Sequence, residues 1–153
     1  MKQLSLECVK LNSSWEKPLA DLFSLIQSRE DNIYFHPHPF TKEEAKKLAG
    51  YDGLDLYYIL TENSQILGYG MLRGWDEGYQ VPSLGIYIHP DARGMGLGKL
   101  LMQFIQAIAK RKGAKKIRLK VYSNNNVALK LYKSLGYIFE KEEAGQLLGI
   151  LEL

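Results

Sequence analysis

The run Leu84-Gly85-Ile86-Tyr87-Ile88-His89-Pro90-Asp91-Ala92-Arg93-Gly94-Met95-Gly96-Leu97-Gly98-Lys99 constrains this chain more than any other. An apolar stretch rich in branched and aromatic residues stops at His89-Pro90-Asp91. Glycine then takes every second position, and an amphipathic helical pattern begins. Strand, glycine loop and helix in that order present several backbone N–H groups to one anion. Glycine accepts positive φ and leaves no Cβ in the way of phosphate oxygens. The helix adds unpaired N–H groups and the positive end of its dipole. Pyrophosphate suits such a loop.

Two common phosphate loops fail on required residues. A dinucleotide fingerprint needs G-x-G-x-x-G and an acidic residue about 20 positions on. Counted from Gly96, the third glycine position holds Leu101, and the downstream region holds Lys115 and Lys116. A Walker loop needs a glycine five residues before Gly98 and Ser or Thr after the lysine. Arg93 and Leu100 stand there.

Arg-Gly-x-Gly-x-Gly after a strand closely resembles the acetyl-CoA loop of the GCN5-related N-acetyltransferase (GNAT) superfamily. Downstream, Asn125-Asn126-Val127-Ala128-Leu129-Lys130-Leu131-Tyr132-Lys133-Ser134-Leu135-Gly136-Tyr137 resembles that family's Asn-x-x-Ala-x-x-Leu-Tyr-x-x-x-Gly-Phe/Tyr signature. With their flanking strands, the two motifs cover roughly the C-terminal half.

Periodicity orders the rest. Residues 3 to 9 alternate as a first strand. Ser13 or Ser14 is expected to cap a helix carrying Trp15, Leu19, Leu22, Phe23 and Ile26. Asp31 to Pro39 is a stiff aromatic loop, and Thr41 with Glu44 is a capping box for a helix ending at Gly50. Strands follow over Leu54–Leu60, Gln65–Arg73 and Gln80–His89, then the helix whose stripe runs from Leu97 to Ile108. Ile117–Tyr122, a helix over Asn125–Leu135, and two strands joined near Ala144-Gly145 complete the chain. The order β-α-α-β-β-β-α-β-α-β-β predicts an α/β (α+β) mixed sheet of about seven strands with helices on both faces. At 153 residues one domain over 1–153 is expected.

Composition narrows the partners. Net charge is +3, with 46% hydrophobic and 24% charged residues, ordinary for a globular chain. The balance is too mild for a nucleic-acid binder, and no stretch reaches the roughly 18 apolar residues of a membrane helix. Met1 to Glu7 lacks a signal peptide's apolar region. Cys8 is alone and reads as a buried structural thiol, with no motif for an acyl-enzyme. A cytoplasmic protein without a metal is expected.

The resemblance implies a splayed central strand pair, with Ile86, Tyr87 and Ile88 meeting pantetheine amides through their main chain. It implies that the Ile88 N–H faces the thioester carbonyl. It puts Arg93, Gly94, Met95, Gly96, Leu97, Gly98 and Lys99 at the pyrophosphate, and Asn125, Ala128 and Tyr132 along the cofactor. Asn125 is also a natural helix cap, in competition with Asn124. Tyr132 shares a helix face with Ala128 and Asn125, and a protonated phenol can donate to a departing thiolate. A core tyrosine is the rival reading.

The general base is open. Many family members carry Glu near the start of the strand before the loop, but Gln80 to Gly85 holds no carboxylate. Glu77, His36 and His38 are the weak candidates, with Asp76 beside Glu77. His89 reads as structural. Tyr34, His36, Trp75 and Tyr79 are the candidate acceptor residues, where rings beside carboxylates would suit a cationic amine or a stacked sugar. The same aromatic loops could serve as a homodimer contact. Lys110 to Lys120 reads as a helix end and a solvated strand face, or supplies one lysine to the cofactor's 3′-phosphate. Function is therefore expected to be acetyl-CoA-dependent transfer to a primary amine of a small molecule or amino sugar. Protein lysine or N-terminal acetylation, and a non-catalytic CoA-binding module, are the alternatives.

Overall fold

The computed structural model describes residues 3–153. Seven strands form one sheet in the order β1-β2-β3-β4-β5-β7-β6. They are β1 (Leu6–Lys10), β2 (Leu56–Glu62), β3 (Gln65–Arg73), β4 (Ser83–Ile88), β5 (Lys116–Tyr122), β6 (Ile138–Glu143) and β7 (Gln146–Glu152). All neighbours pair antiparallel except β4 and β5, which are parallel. The helices are α1 (Glu16–Ser28), α2 (Lys42–Ala49), α3 (Leu97–Arg111) and α4 (Asn126–Ser134).

Alternation in the strands sorts the core into two layers. Tyr57 and Ile59 of β2, Tyr69 and Met71 of β3, and Tyr87 of β4 meet Leu19, Leu22, Phe23 and Ile26 of α1 with Ala45 and Leu48 of α2. On the opposite face Leu60, Leu72, Leu84, Ile117 and Leu119 meet Leu101, Met102 and Ile105 of α3. Fully burying a side chain such as Phe23 is worth roughly 1.5–3 kcal/mol. The expected helices on both faces are therefore present. β3 carries glycine where α3 approaches most closely: a Cβ on Gly70 would lie 2.4 Å from Ile105 Cδ1.

Several expected boundaries shift for local reasons. β1 starts at Leu6, because Leu4 is exposed and residues 3 to 5 lie outside the strand. Ser13 and Ser14 are not caps of α1. Asn12 Oδ1 instead accepts from the Ser14 N–H at 3.0 Å and starts a 3-10 turn, Ser13–Trp15, ahead of the helix. Thr41 does cap α2, accepting from the Glu44 N–H at 3.0 Å. β2 begins two residues late and extends to Glu62, so its hairpin to β3 turns on Asn63, at φ 55°. β4 begins at Ser83 rather than Gln80, immediately after Pro82, which has no N–H for a ladder. β6 and β7 are joined at Ala144-Gly145, both at positive φ.

Candidate active site

The sheet opens at its centre. Ser83 and Arg118 are the single residue pair between β4 and β5, joined by the bond from the Arg118 N–H to the Pro82 carbonyl at 3.0 Å. Beyond it the two strands diverge. The His89 N–H bonds the Leu67 carbonyl at 2.8 Å, which sets the alternation along β4. His89, Tyr87, Gly85 and Ser83 turn their main-chain groups to β3. Leu84 gives its N–H to the Arg118 carbonyl in the bridge to β5, and Ile86 and Ile88 present their N–H groups to the gap.

A cavity of about 640 Å³ fills that gap. Its walls include Ile86, Tyr87, Ile88, Arg93, Gly94, Gly96, Leu97, Gly98, Lys99, Asn125, Ala128 and Tyr132. Met95 belongs to the same loop but does not line the cavity, and the residue is 69% exposed. Gly94 and Gly96 stand at φ 77° and 81°, a region that an L-residue enters only with strain. Gly98 has no such need. It lies in the first turn of α3, where an added Cβ would reach Leu131 at 3.4 Å.

Arg93 braces this loop. Its Nε donates to the Ile88 carbonyl at 3.0 Å, and its other arm lies 3.4 Å from Asp31. Asp31 also accepts from the Tyr87 hydroxyl at 2.5 Å and from Arg29 at 3.0 Å. Partial burial opposes charge on Asp31, but Tyr87, Arg29 and Arg93 outweigh it and hold its carboxyl below the usual range. Tyr87 answers in the other direction: burial and then Asp31 push its phenol up to about 12.

Asn125 caps α4, its Oδ1 facing the Ala128 N–H at 3.4 Å, while it also lines the cavity. Tyr132 lies one turn further along the same face. Burial pushes its phenol up to about 12, so it stays protonated across the neutral range. A hydroxyl proton is thus available inside the cavity.

A second cavity, also about 640 Å³, adjoins the first. Tyr34, His36, Glu77 and Tyr79 line it, together with Arg73, Arg118 and Lys120. Tyr34, Phe35, Leu84, Gly85 and Lys120 line both. The two cavities therefore meet at Leu84 and Gly85, whereas Ile88 borders only the first.

Two expected residues lie elsewhere. Trp75 packs against the α3 layer of the core and does not line the second cavity. His38 is a core residue. Its ring packs against Phe23, Phe40 and Tyr69, and burial pulls its pKa down. Nδ1 lies 2.7 Å from the Pro39 carbonyl, which can only accept, so Nδ1 carries the proton. Nε2 then accepts from the Tyr69 hydroxyl at 2.8 Å. No lone pair is left for catalysis. His36, in contrast, lines the second cavity with Nε2 at 2.9 Å from the Tyr122 hydroxyl. His89 accepts from the Asp91 N–H at 3.1 Å, a structural turn contact.

Glu77 of the β3–β4 turn faces the second cavity, but Asp76 beside it and Asp55 before β2 are engaged by hydrogen bonds. Asp76 accepts from the Tyr51 hydroxyl and, at 2.8 Å, from the Leu54 N–H. Asp55 accepts from the Gly74 N–H at 3.0 Å and the Asp76 N–H at 3.2 Å. Sequence reasoning missed Asp31 and Leu84, and took Arg118 and Lys120 for part of a solvated face. Arg118 and Lys120 alternate with buried Ile117, Leu119 and Val121, a pattern that groups them on one face without saying what that face meets.

The acetyltransferase (GNAT) family model matches residues 19–137. The chain belongs to the GNAT family. It is 32% identical over 98 residues to the L-amino acid N-acyltransferase MnaT of Escherichia coli (strain K12), covering 62% of this chain. The chain spans about half, 55%, of that relative's length. A probable spermine N(1)-acetyltransferase of Bacillus subtilis subsp. natto is 28% identical over 130 residues, 80% of this chain and 83% of that one. In fold, the chain is similar to the PaiA N-acetyltransferase of Thermoplasma acidophilum solved in complex with coenzyme A. The TM-score is 0.77 at 20% identity, covering 97% of this chain and 99% of that one. The GNAT fold accounts for the mixed sheet and its central opening. Among the described residues, no helix is long and apolar enough to cross a membrane.

Proposed function

We propose that the chain is an N-acetyltransferase that moves the acetyl group of acetyl-CoA directly to the primary amine of a small molecule, with residues 1–153 acting as one catalytic domain. The observation that carries this reading is the open edge of β4. Its unpaired main chain runs from the glycine loop to the point where the two cavities join. The residues fit coenzyme A: the loop at Gly94 and Gly96 and the α3 N-terminus suit the pyrophosphate, and Ile86 and Ile88 offer main-chain groups to an amide-bearing arm. Lone, half-buried Cys8 suits a cytoplasmic setting.

Acetyl-CoA supplies the thioester; the chain must stabilise charge and move protons. Negative charge that builds on the carbonyl oxygen during attack needs a fixed donor. The Leu84 N–H is spent on the Arg118 carbonyl in the bridge to β5, so the free donors along the gap are the N–H groups of Ile86 and Ile88. The N–H of Ile88 serves the thioester oxygen, as the resemblance implies, and Ile86 serves the arm. Tyr132 donates its proton toward the departing sulfur. A phenol near 12 is a weaker acid than a thiol near 8.5 in water. The same dry cavity also penalises the thiolate, which narrows that gap.

An alkyl amine is mostly protonated at neutral pH, so a proton must first leave it. His36 takes this part: it faces the second cavity, next to Tyr34 and Phe35, which border both. The bond to Tyr122 fixes the ring and leaves its other nitrogen available.

Calorimetry with CoA, paired with thiol release over an amine panel, tests the reading. Binding with turnover is expected. Binding without turnover on any amine would identify a CoA-binding module, and no binding would overturn the site.

A further inference from the structure

We propose that the acceptor amine also carries an anionic group, a carboxylate or a phosphate, which Arg118 receives at the floor of the second cavity. The inference rests on the transferase reading for the word acceptor, and on the cavity's own chemistry for the rest.

Arg118 is held where the sheet begins to open, its Cα opposite Ser83 on one side and Ile150 on the other. Its Nε is buried and has no hydrogen-bond partner among the described residues. Burying an unpaired polar group of a charged side chain is costly. Native structures place such a group where a ligand or ordered water completes it. Ion pairs elsewhere in the chain join Arg29, Arg93 and Lys116 to carboxylates. No carboxylate of the described residues pairs with Arg118 or with Lys120, two residues along the same face of β5.

The charge of the cavity points the same way. Arg73, Arg118 and Lys120 line it against the single acid Glu77. Arg73 is committed to the Pro37 carbonyl, which leaves Arg118 and Lys120 to meet a ligand. The carboxylates that would have welcomed a second cation, Asp55 and Asp76, are consumed by main-chain N–H groups and Tyr51. A polyamine entering here would meet two unpaired cations. An anion would meet a planar fork of donors matched to carboxylate or phosphate oxygens. Arg118 sits at the closed end of the β4–β5 gap, so an anion anchored there directs the rest of the molecule along β4 toward the first cavity. That is where the amine must lie for transfer.

The test uses the full chain with acetyl-CoA and compares kcat/KM within matched pairs. The pairs are the twenty L-amino acids against their C-terminal amides, and glucosamine 6-phosphate against glucosamine, with 1,5-diaminopentane as the cationic probe. The anionic member of one pair type is expected to be preferred at least tenfold, and the pair type identifies carboxylate or phosphate. Arg118→Gln should lower that preference roughly ten- to hundredfold, chiefly through KM, with Arg118→Lys restoring part of it. CoA affinity, retained in both variants, reports that they fold. A wild-type chain that uses neutral or cationic members equally well overturns the proposal, whatever the variants do. So does a folded Arg118→Gln that keeps the preference. If CoA binds but no amine is acetylated, the transferase reading fails by itself. Calorimetry on the CoA-loaded chain then decides: selective binding of anionic members upholds the anion site, and equal or absent binding overturns it.

Discussion

At the scale of single residues, the site depends on which polar atoms already have partners. Tyr132 has a hydroxyl proton to give and no described acceptor for it. Tyr132→Phe is expected to keep acetyl-CoA affinity while kcat falls about 10²-fold or more, the usual weight of a placed proton donor. With its phenol near 12, kcat should show no basic limb from this group below pH 10. Unchanged kcat in steady-state assays would remove the role. His36→Gln should also lower kcat/KM about 10²-fold at pH 7, and the deficit should shrink as pH rises and the amine loses its proton unaided. A defect constant from pH 7 to 9.5 would argue against proton removal by His36.

The neighbouring histidine behaves oppositely because it is spent on the core. His38 is neutral in the fold, with both nitrogens bonded and its pKa drawn down by burial. A depressed folded pKa means that the unfolded chain takes up the proton first. Stability is then complete above the ordinary histidine value near 6.5 and declines as pH falls below it. Urea unfolding should therefore show a larger loss between pH 7.5 and 5.5 for the wild type than for non-titrating His38→Gln. The difference is at most about 1.4 kcal/mol per pH unit for one proton.

At the scale of elements, the edge of β4 is the decisive piece. Its alternation makes odd-numbered residues hold β3 and even-numbered ones face the gap. A proline at an even position removes a donor without removing a rung of the β3 ladder. Ile88→Pro should then cost kcat about 10²–10³-fold, the weight of one oxyanion donor, with CoA affinity retained. Ile86→Pro should instead weaken CoA binding. The reverse pattern, read by calorimetry and single-turnover rates, would move the oxyanion role to Ile86. The helix after the loop is positioned by the small residues of β3: Gly68 and Gly70 let Leu101 and Ile105 press against the strand. That contact aims the α3 N-terminus, and with it the glycine loop, at the cavity.

At the scale of the molecule, Asp31 ties three distant parts together. It lies after α1, yet it holds Tyr87 of β4 and Arg93 of the glycine loop. The guanidinium ends of Arg29 and Arg93 are close to half exposed, so each pair contributes at most about 1 kcal/mol. The Tyr87 bond is better shielded. Because the folded carboxyl lies below its ordinary value, this contribution is present above about pH 4 and is lost as pH falls further. Asp31→Asn should flatten that acid limb in thermal melts and weaken CoA binding through a looser Arg93. Unaltered acid unfolding would show that the tie carries no weight.

Much of this was readable along the chain because its cause is local. The strand, glycine loop and helix from Leu84 to Arg111, the Thr41 cap and the Asn125–Tyr132 face all follow from φ preference, caps and helical period. Those interactions lie within one turn or one hairpin, so neighbouring letters suffice to place them. The boundaries that shifted did so for reasons just as local: Asn12 caps the turn one residue ahead of Ser13, and Pro82, without an N–H, starts β4 at Ser83. Period alone also grouped Arg118 and Lys120 opposite Ile117 and Leu119. What it could not supply was the far wall. That His38 is occupied by Tyr69 and that Asp76 is held by Tyr51 and Leu54 are contacts across 22 to 31 residues of chain, and Trp75 likewise turns into the core. The donor side of this protein was thus set by sequence. The acceptor side, with its unpaired Arg118 facing an opened sheet, was decided by tertiary packing, because charge and access at a cavity are properties of several walls at once.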